Sequence, residues 1–236
     1  METYVLSNEV KTVKLKENEI ETVIFQNEKK KAQIRVTKVD QDNNEILLDG
    51  VTFDVINNAG EIVDTIVTGS NGIATTKRIP IDSEYTIIER KTKKEYKLTE
   101  ETQTVTLEQD EIKNIIFQNE KRKGQLRIIK VDLDDNEILL EGVTFDILDK
   151  YGNVVDTVVT NEKGEATSKR LPCIDEEYTA IERETKKEYV LTEKTQTITL
   201  TEDEITSIQF ENEKIKGYLE ITKVDSKTKD TLKDAV

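Results

Sequence analysis

The sequence predicts an all-β chain of tandem, immunoglobulin-like antiparallel β-sandwiches arranged as a rod. Three observations carry this. A long segment recurs 92 residues on, each copy breaks into short alternating runs punctuated by Gly and Asn turns, and no stretch sustains a helical period with caps.

The repeat sets the domain plan. Val51-Thr-Phe-Asp-Val-Ile recurs as Val143-Thr-Phe-Asp-Ile-Leu, and Phe25-Gln-Asn-Glu-Lys recurs at Phe117 and, as Phe-Glu-Asn-Glu-Lys, at Phe210. The Pro80–Pro172 spacing is 92 and the Tyr85–Tyr178 spacing 93, so the second copy carries one extra residue, within Cys173-Ile-Asp-Glu-Glu. Residues 31–121 and 122–214 are complete repeats. Residues 1–30 match only the closing part of a repeat and 215–236 only the opening part, so the chain reads as a stretch of a longer array with its partial repeats the least stable pieces.

Within a repeat the elements follow in order. The first strand, 124–132 in the second copy, alternates, as does 51–56. Asn57-Asn-Ala-Gly60 is a turn leading to a returning strand at 62–67, and Gly69-Ser-Asn-Gly72 is another, leading to 73–78. Tyr85, Ile87 and Glu89 alternate in one phase, and 103–107 and 111–119 close the repeat, for some seven strands of immunoglobulin-like size. Thr, Val and Ile fill the strand positions, whereas only two prolines and nine glycines argue against a disordered stalk. The short junction Asn119-Glu-Lys-Arg-Lys-Gly124 leaves little slack between repeats, which is why a rod is expected.

Composition excludes several functions. A formal charge of -14, from 49 acidic and 35 basic residues, repels nucleic acid and anionic membrane. With no histidine and one cysteine, Cys173, there is no imidazole base, no Ser-His or Cys-His nucleophile and no thiolate-imidazole metal site. No cofactor is expected, and Cys173 reads as an incidental loop residue. No apolar run approaches the ~18 residues of a membrane span, and no signal peptide follows Met1.

One feature of each first strand is anomalous. Leu126, Ile128 and Lys130 share a face, as do Ile34, Val36 and Lys38, and again Leu219, Ile221 and Lys223, so a lysine occupies an inward position three times. A lone ammonium in an apolar interior costs several kcal/mol or loses its proton, so each needs a partner. Glu89 follows Tyr85 and Ile87 in phase, and Glu182 follows Tyr178 and Ala180. Asn119, Asn212 and Asn27 likewise follow apolar residues in phase at the end of the last strand.

These three residue types suit one reaction. Burial disfavours both charged forms, so a lysine and a glutamate can exchange a proton to give a neutral amine beside a carboxylic acid. The amine can attack the asparagine carboxamide while the acid hydrogen-bonds its carbonyl oxygen and then shuttles protons to departing ammonia, leaving an amide between two side chains. Two blander readings stand beside this: strand-end residues turned into water, or a buried ion pair that never reacts.

The Lys-x-Asp ending of the first strand, the Tyr-x-x-x-Glu strand and the closing Phe-x-Asn-Glu-Lys resemble the isopeptide-forming modules of Gram-positive surface proteins, the collagen-adhesin B-type (CnaB) or SpaA-like prealbumin-fold family. The resemblance covers both repeats and both fragments. It implies a prealbumin-like fold, a Lys38–Asn119 bond assisted by Glu89, and a Lys130–Asn212 bond assisted by Glu182. The partial repeats carry Asn27 and Lys223 as the equivalent residues but not the rest of a triad. The glycine common before the Tyr-x-x-x-Glu strand is replaced by Asp82-Ser-Glu84 and Asp175-Glu-Glu177, and the usual Pro-x-Gly-Tyr loop by Lys93-Lys-Glu-Tyr96 and Lys186-Lys-Glu-Tyr189.

Asp40-x-Asp42-x-Asn44 and Asp132-x-Asp134-x-Asn136 begin like calcium loops, but Glu45 and Glu137 stand where glycine is required and Val51 and Val143 where a bidentate glutamate belongs, so ordinary turns are expected. The implied function is a structural stalk module of a bacterial cell-surface adhesin or pilus-like protein, extracellular and cell-wall anchored through a region outside this segment. Its partners are neighbouring repeats, with a host surface or matrix protein contacted through another part of the parent. The alternative is an adhesin module gripping a host matrix protein or glycan through its loops, against which stand few aromatics and near-identical repeats. An enzyme with turnover is not expected, because the chemistry consumes its own residues.

Overall fold

The computed structural model of the chain describes residues 3–232, which hold sixteen strands and no helix. The outermost ends of the two partial repeats, residues 1–2 and 233–236, lie outside the described residues. The chain divides into two compact units at Arg122/Lys123.

In the first unit β1 (Lys31–Asp40) lies between β8 (Ile112–Asn119) on one edge and β4 (Ile73–Thr75) and β5 (Ile79–Pro80) on the other. A second sheet runs in the order β3 (Ile62–Val67), β2 (Thr52–Asn57), β6 (Tyr85–Lys91), β7 (Thr102–Val105). Alternation fills the space between them: β1 turns Ala32, Ile34, Val36 and Lys38 inward, and β2 and β6 supply Phe53, Val55, Tyr85 and Ile87. Phe53 and Phe117 meet with ring centroids 5.0 Å apart, each burial worth about 2–3 kcal/mol.

The pairings are antiparallel except that β8 runs parallel to β1, placing Lys38 beside Phe117 and Asp40 beside Asn119. The expected strand at 73–78 stops at Thr75 and a separate short strand follows at Ile79–Pro80, which makes eight per unit where some seven were expected. The physical reason is Thr76: its hydroxyl accepts the Ile34 N–H at 3.0 Å in place of a backbone carbonyl, and the chain rejoins β1 only at Ile79.

The second unit repeats this plan. β9 (Lys123–Asp132) pairs with β12 (Glu165–Thr167), β13 (Leu171–Pro172) and, in parallel, β16 (Ile205–Asn212). Facing it are β11 (Val154–Val159), β10 (Thr144–Leu148), β14 (Tyr178–Glu184) and β15 (Thr195–Ile198), in that order. Cys173 lies outside a strand, directly after β13, but is buried with Leu171 and Tyr178 in the core. Two residues further on, Asp175 adopts a left-handed φ of 57°, a conformation an Asp tolerates better than most side chains.

Candidate functional site

The parallel register of β8 on β1 sets the first half of the site. Asn119 sits one pleat beyond Phe117 on the inward face, within reach of the Lys38 side chain. Glu89 enters from the facing sheet, opposite Phe53 on β2. In the first unit, Lys38 Nζ donates to Asn119 Oδ1 at 2.6 Å and lies 2.7 Å from Glu89 Oε2, and Asn119 Nδ2 donates to Glu89 Oε1 at 2.6 Å. In the second, Lys130 Nζ is 2.6 Å from Asn212 Oδ1 and 2.9 Å from Glu182 Oε2, and Asn212 Nδ2 is 2.5 Å from Glu182 Oε1. The lysine and glutamate side chains are 0% exposed in both units.

Aromatic rings close the pocket around the amine. Phe53 and Phe117 stand 6.0 and 5.7 Å from Lys38 Nζ, and Phe210 stands 5.9 Å from Lys130 Nζ. Burial in this setting pushes both lysines below the ordinary value of 10.5, against the opposing pull of the Glu89 and Glu182 carboxylates. Glu89 Oε2 and Glu182 Oε2 face the lysine nitrogens at 2.7 and 2.9 Å and have no other polar partner.

One contact differs from the sequence-based expectation. The carboxyl group faces the carboxamide nitrogen, not its carbonyl oxygen, and the lysine takes the oxygen. Charge explains this, since an ammonium donates to a carbonyl and a carboxylate accepts from an amide N–H.

Two further groups complete each site, and the sequence analysis passed over both. Thr92 Oγ1 accepts Asn119 Nδ2 at 2.7 Å, and Thr185 Oγ1 accepts Asn212 Nδ2 at 2.8 Å. Tyr96 donates to Asp40 Oδ2 at 2.8 Å, Tyr189 to Asp132 Oδ2 at 2.9 Å, with Lys121 and Lys214 beside the same oxygens. Desolvation works to raise both aspartates. The tyrosine and backbone hydrogen bonds outweigh it, holding Asp40 below the ordinary range and Asp132 at about 2. The available signal was spacing: in both repeats a Thr stands three residues after the Glu and a Tyr seven after it.

The equivalents in the partial repeats are placed differently. Asn27 and Lys223 are exposed and belong to no such cluster, and Leu219 and Ile221, in phase with Lys223, are more than four-fifths exposed. The inward position of a third lysine is therefore not realised, because no facing sheet covers that face. The Asp40 carboxylate accepts the N–H groups of Asp42 and Asn43, forming a turn, and among the described residues no group of three or more acidic or Cys side chains could hold a metal ion. No helix among them is long and apolar enough to cross a membrane. Beside the second site, Leu133, Val190, Leu191, Lys194 and Asn212 line an open groove of about 480 Å³.

The model of the SpaA prealbumin-like fold domain family matches this chain twice, over residues 32–121 and 124–214. Among solved structures, the Bacillus anthracis TIE protein is 30% identical with a TM-score of 0.70. The match covers 90% of this chain, which spans 40% of that one. GBS52, the minor pilin of Streptococcus agalactiae, is 16% identical (TM-score 0.38, 81% of this chain and 100% of that one). The shaft pilin SpaA of Lactobacillus rhamnosus GG is 15% identical (TM-score 0.37, 80% and 100%). No curated protein matches the sequence.

Proposed function

The chain belongs to the SpaA prealbumin-like fold domain family, and from that premise we propose that it is a stalk segment of a Gram-positive surface adhesin or pilus-like protein. Its modules, 31–121 and 122–214 between partial repeats 1–30 and 215–236, lock themselves with Lys38–Asn119 and Lys130–Asn212 isopeptide bonds. The observation that carries this reading is the repeated convergence of amine, carboxyl and carboxamide, each within 2.9 Å of the next, inside a buried core.

The chemistry follows from these contacts. Lys38, already biased toward the neutral amine by burial, passes a proton to Glu89 Oε2 and attacks Asn119 Cγ. Glu89, whose Oε1 already meets Nδ2, then delivers that proton to Nδ2, so that the Cγ–Nδ2 bond can break. A second proton then leaves Nζ for Glu89. The Nζ–Cγ bond is made, ammonia departs, and Glu89 ends as a neutral acid. Fixed neighbours replace a chance encounter, an advantage of about 7–11 kcal/mol at best.

The mechanical reading rests on topology. A bond between the first and last strands lets tension enter along β1 and leave after Asn119, bypassing everything between. Each module acts once, on itself, so the role is structural and there is no turnover. Surface display and wall attachment belong to the same proposal, through parts of the parent beyond this segment.

Intact mass tests it. The expected result is two ammonia losses in the wild type, one in Lys38→Ala or Lys130→Ala, and none in the double variant, with a linked Lys38–Asn119 peptide on digestion. A wild-type mass equal to that of the translated sequence, in folded protein, would refute the reading.

A further inference from the structure

The inference starts from an irregularity. β2 and β6 pair Phe53 with Glu89 and Thr52 with Lys91, so Arg90 is an extra residue, and the second unit repeats this with Phe145–Glu182, Thr144–Glu184 and Arg183. Strict alternation puts the third residue after an inward glutamate on the outer face. The bulge shifts the phase by one, and Thr92 and Thr185 turn toward the asparagine that their strand's glutamate already holds. A bulge kept at the same place in both copies, beside the reacting groups, is a device for aiming a side chain.

The aim determines the carboxamide. Its terminal torsion is broad and two-fold, so nothing in the Asn119 side chain itself selects which end faces the amine. One Nδ2 hydrogen goes to Glu89 Oε1 and the other to Thr92 Oγ1, while Oδ1 takes Lys38 Nζ. Three contacts fix the plane of the group and leave its nitrogen on the side away from the nucleophile. A flipped carboxamide would set its N–H groups against an ammonium and give Glu89 no proton to accept.

We infer that Thr92 and Thr185 are fourth members of the two reactive sites, holding the leaving nitrogen of Asn119 and Asn212 so that the amine meets the carbonyl carbon and ammonia departs toward the hydroxyl. This rests on the self-crosslinking reading. The hydroxyl accepts a hydrogen bond from Nδ2 before attack and keeps it as the nitrogen becomes ammonia. It gains and loses no proton, so the balance of the reaction is unchanged. The hydroxyls are half-buried, at the margin of the site and nearer solvent than the glutamates.

The experiment uses the full chain, with one module as clock for the other. Protein made by cell-free translation is sampled over time, and digestion followed by mass spectrometry gives the crosslinked fraction of each module. Thr92→Val is expected to slow the first module about tenfold or more and leave the second unchanged, Thr185→Val to do the converse, and Thr92→Ser to restore the rate. Equal rates for the two modules in Thr92→Val would overturn the inference. So would a slow Thr92→Ser, or a loss of rate matched by loss of thermal stability when Thr92→Val is placed in the Lys38→Ala background. If the wild type itself loses no ammonia, the self-crosslinking reading fails instead.

Discussion

Pulling the chain from its two ends gives the most direct measure of the proposed bonds. Lys38 and Asn119 are 81 residues apart in sequence, and unfolding of an unlinked module would release that length at about 3.5 Å per residue, or about 280 Å. Their side chains touch in the folded state, so nearly all of that length appears as a gain. With the bond in place the gain vanishes, because the tension passes through the crosslink and β1 ahead of Lys38 is already an extended strand. The second module spans 82 residues and behaves alike. Single-molecule force spectroscopy on the wild type should show neither step, on Lys38→Ala one, and on Lys38→Ala/Lys130→Ala two. Two steps of about 280 Å from the wild type would refute the load path, and so would their absence from the double variant.

Further outcomes follow from the same structure. Asn119→Ala opens a closed loop worth about 4.5 kcal/mol of chain entropy, which for a module of this size lowers Tm by about 20 °C or more in scanning calorimetry; a shift below about 5 °C would count against a covalent link. Gly164→Ala forces a side chain at φ 65° to within 2.6 Å of the Lys130 carbonyl oxygen, and should cost about 1–3 kcal/mol in denaturant unfolding of a Lys130→Ala background, where a change below about 0.5 kcal/mol would refute the clash. Asp132 is depressed from 3.8 to about 2 in the folded chain, so its stabilising effect is full above the unfolded value and is lost as pH falls through that interval. Tyr189→Phe removes a hydrogen bond to the ionised form, so the Asp132 carboxyl should titrate at higher pH by NMR, and an unmoved titration would remove the tyrosine from the account.

Phase along single strands was legible in the sequence, and partnership between strands was not. Period-two counting turned Lys38, Glu89 and Asn119 inward because each follows apolar neighbours on its own strand, and all three are buried. The same counting carried no information on the parallel pairing of β1 with β8, since a face says nothing of which strand lies alongside. It also failed where the backbone breaks period: the Arg90 bulge hid Thr92, and Thr76, by substituting its hydroxyl for a ladder carbonyl, ended the strand expected at 73–78 early. Lys223 has the phase of its counterparts but lies in water, because burial needs a facing sheet that residues 215–232 do not contain. Cys173 was judged by its place in a sequence insertion, whereas packing against Leu171 and Tyr178 decides its environment.

The unreacted cluster is an expensive way to fill a core, since each ion taken from water costs several kcal/mol and mutual attraction repays only part of it. The proposed reaction would remove both charges, because the lysine would become an amide nitrogen and the glutamate would keep a proton once ammonia leaves as a neutral molecule. Burial therefore both starts the step, by favouring the free amine, and makes its product the better occupant. An exposed lysine has neither incentive, which separates Lys223 from Lys38 and Lys130. Amine-reactive labelling reads the distinction: in folded protein Lys223 should be modified and the two buried lysines not. After full denaturation Lys38 and Lys130 should still resist, being amides by then. In Asn119→Ala the denatured chain should label at Lys38, because there the amine survives. Labelling of Lys38 in the denatured wild type would mean that the cluster stays ionic and the core bears its cost unrelieved.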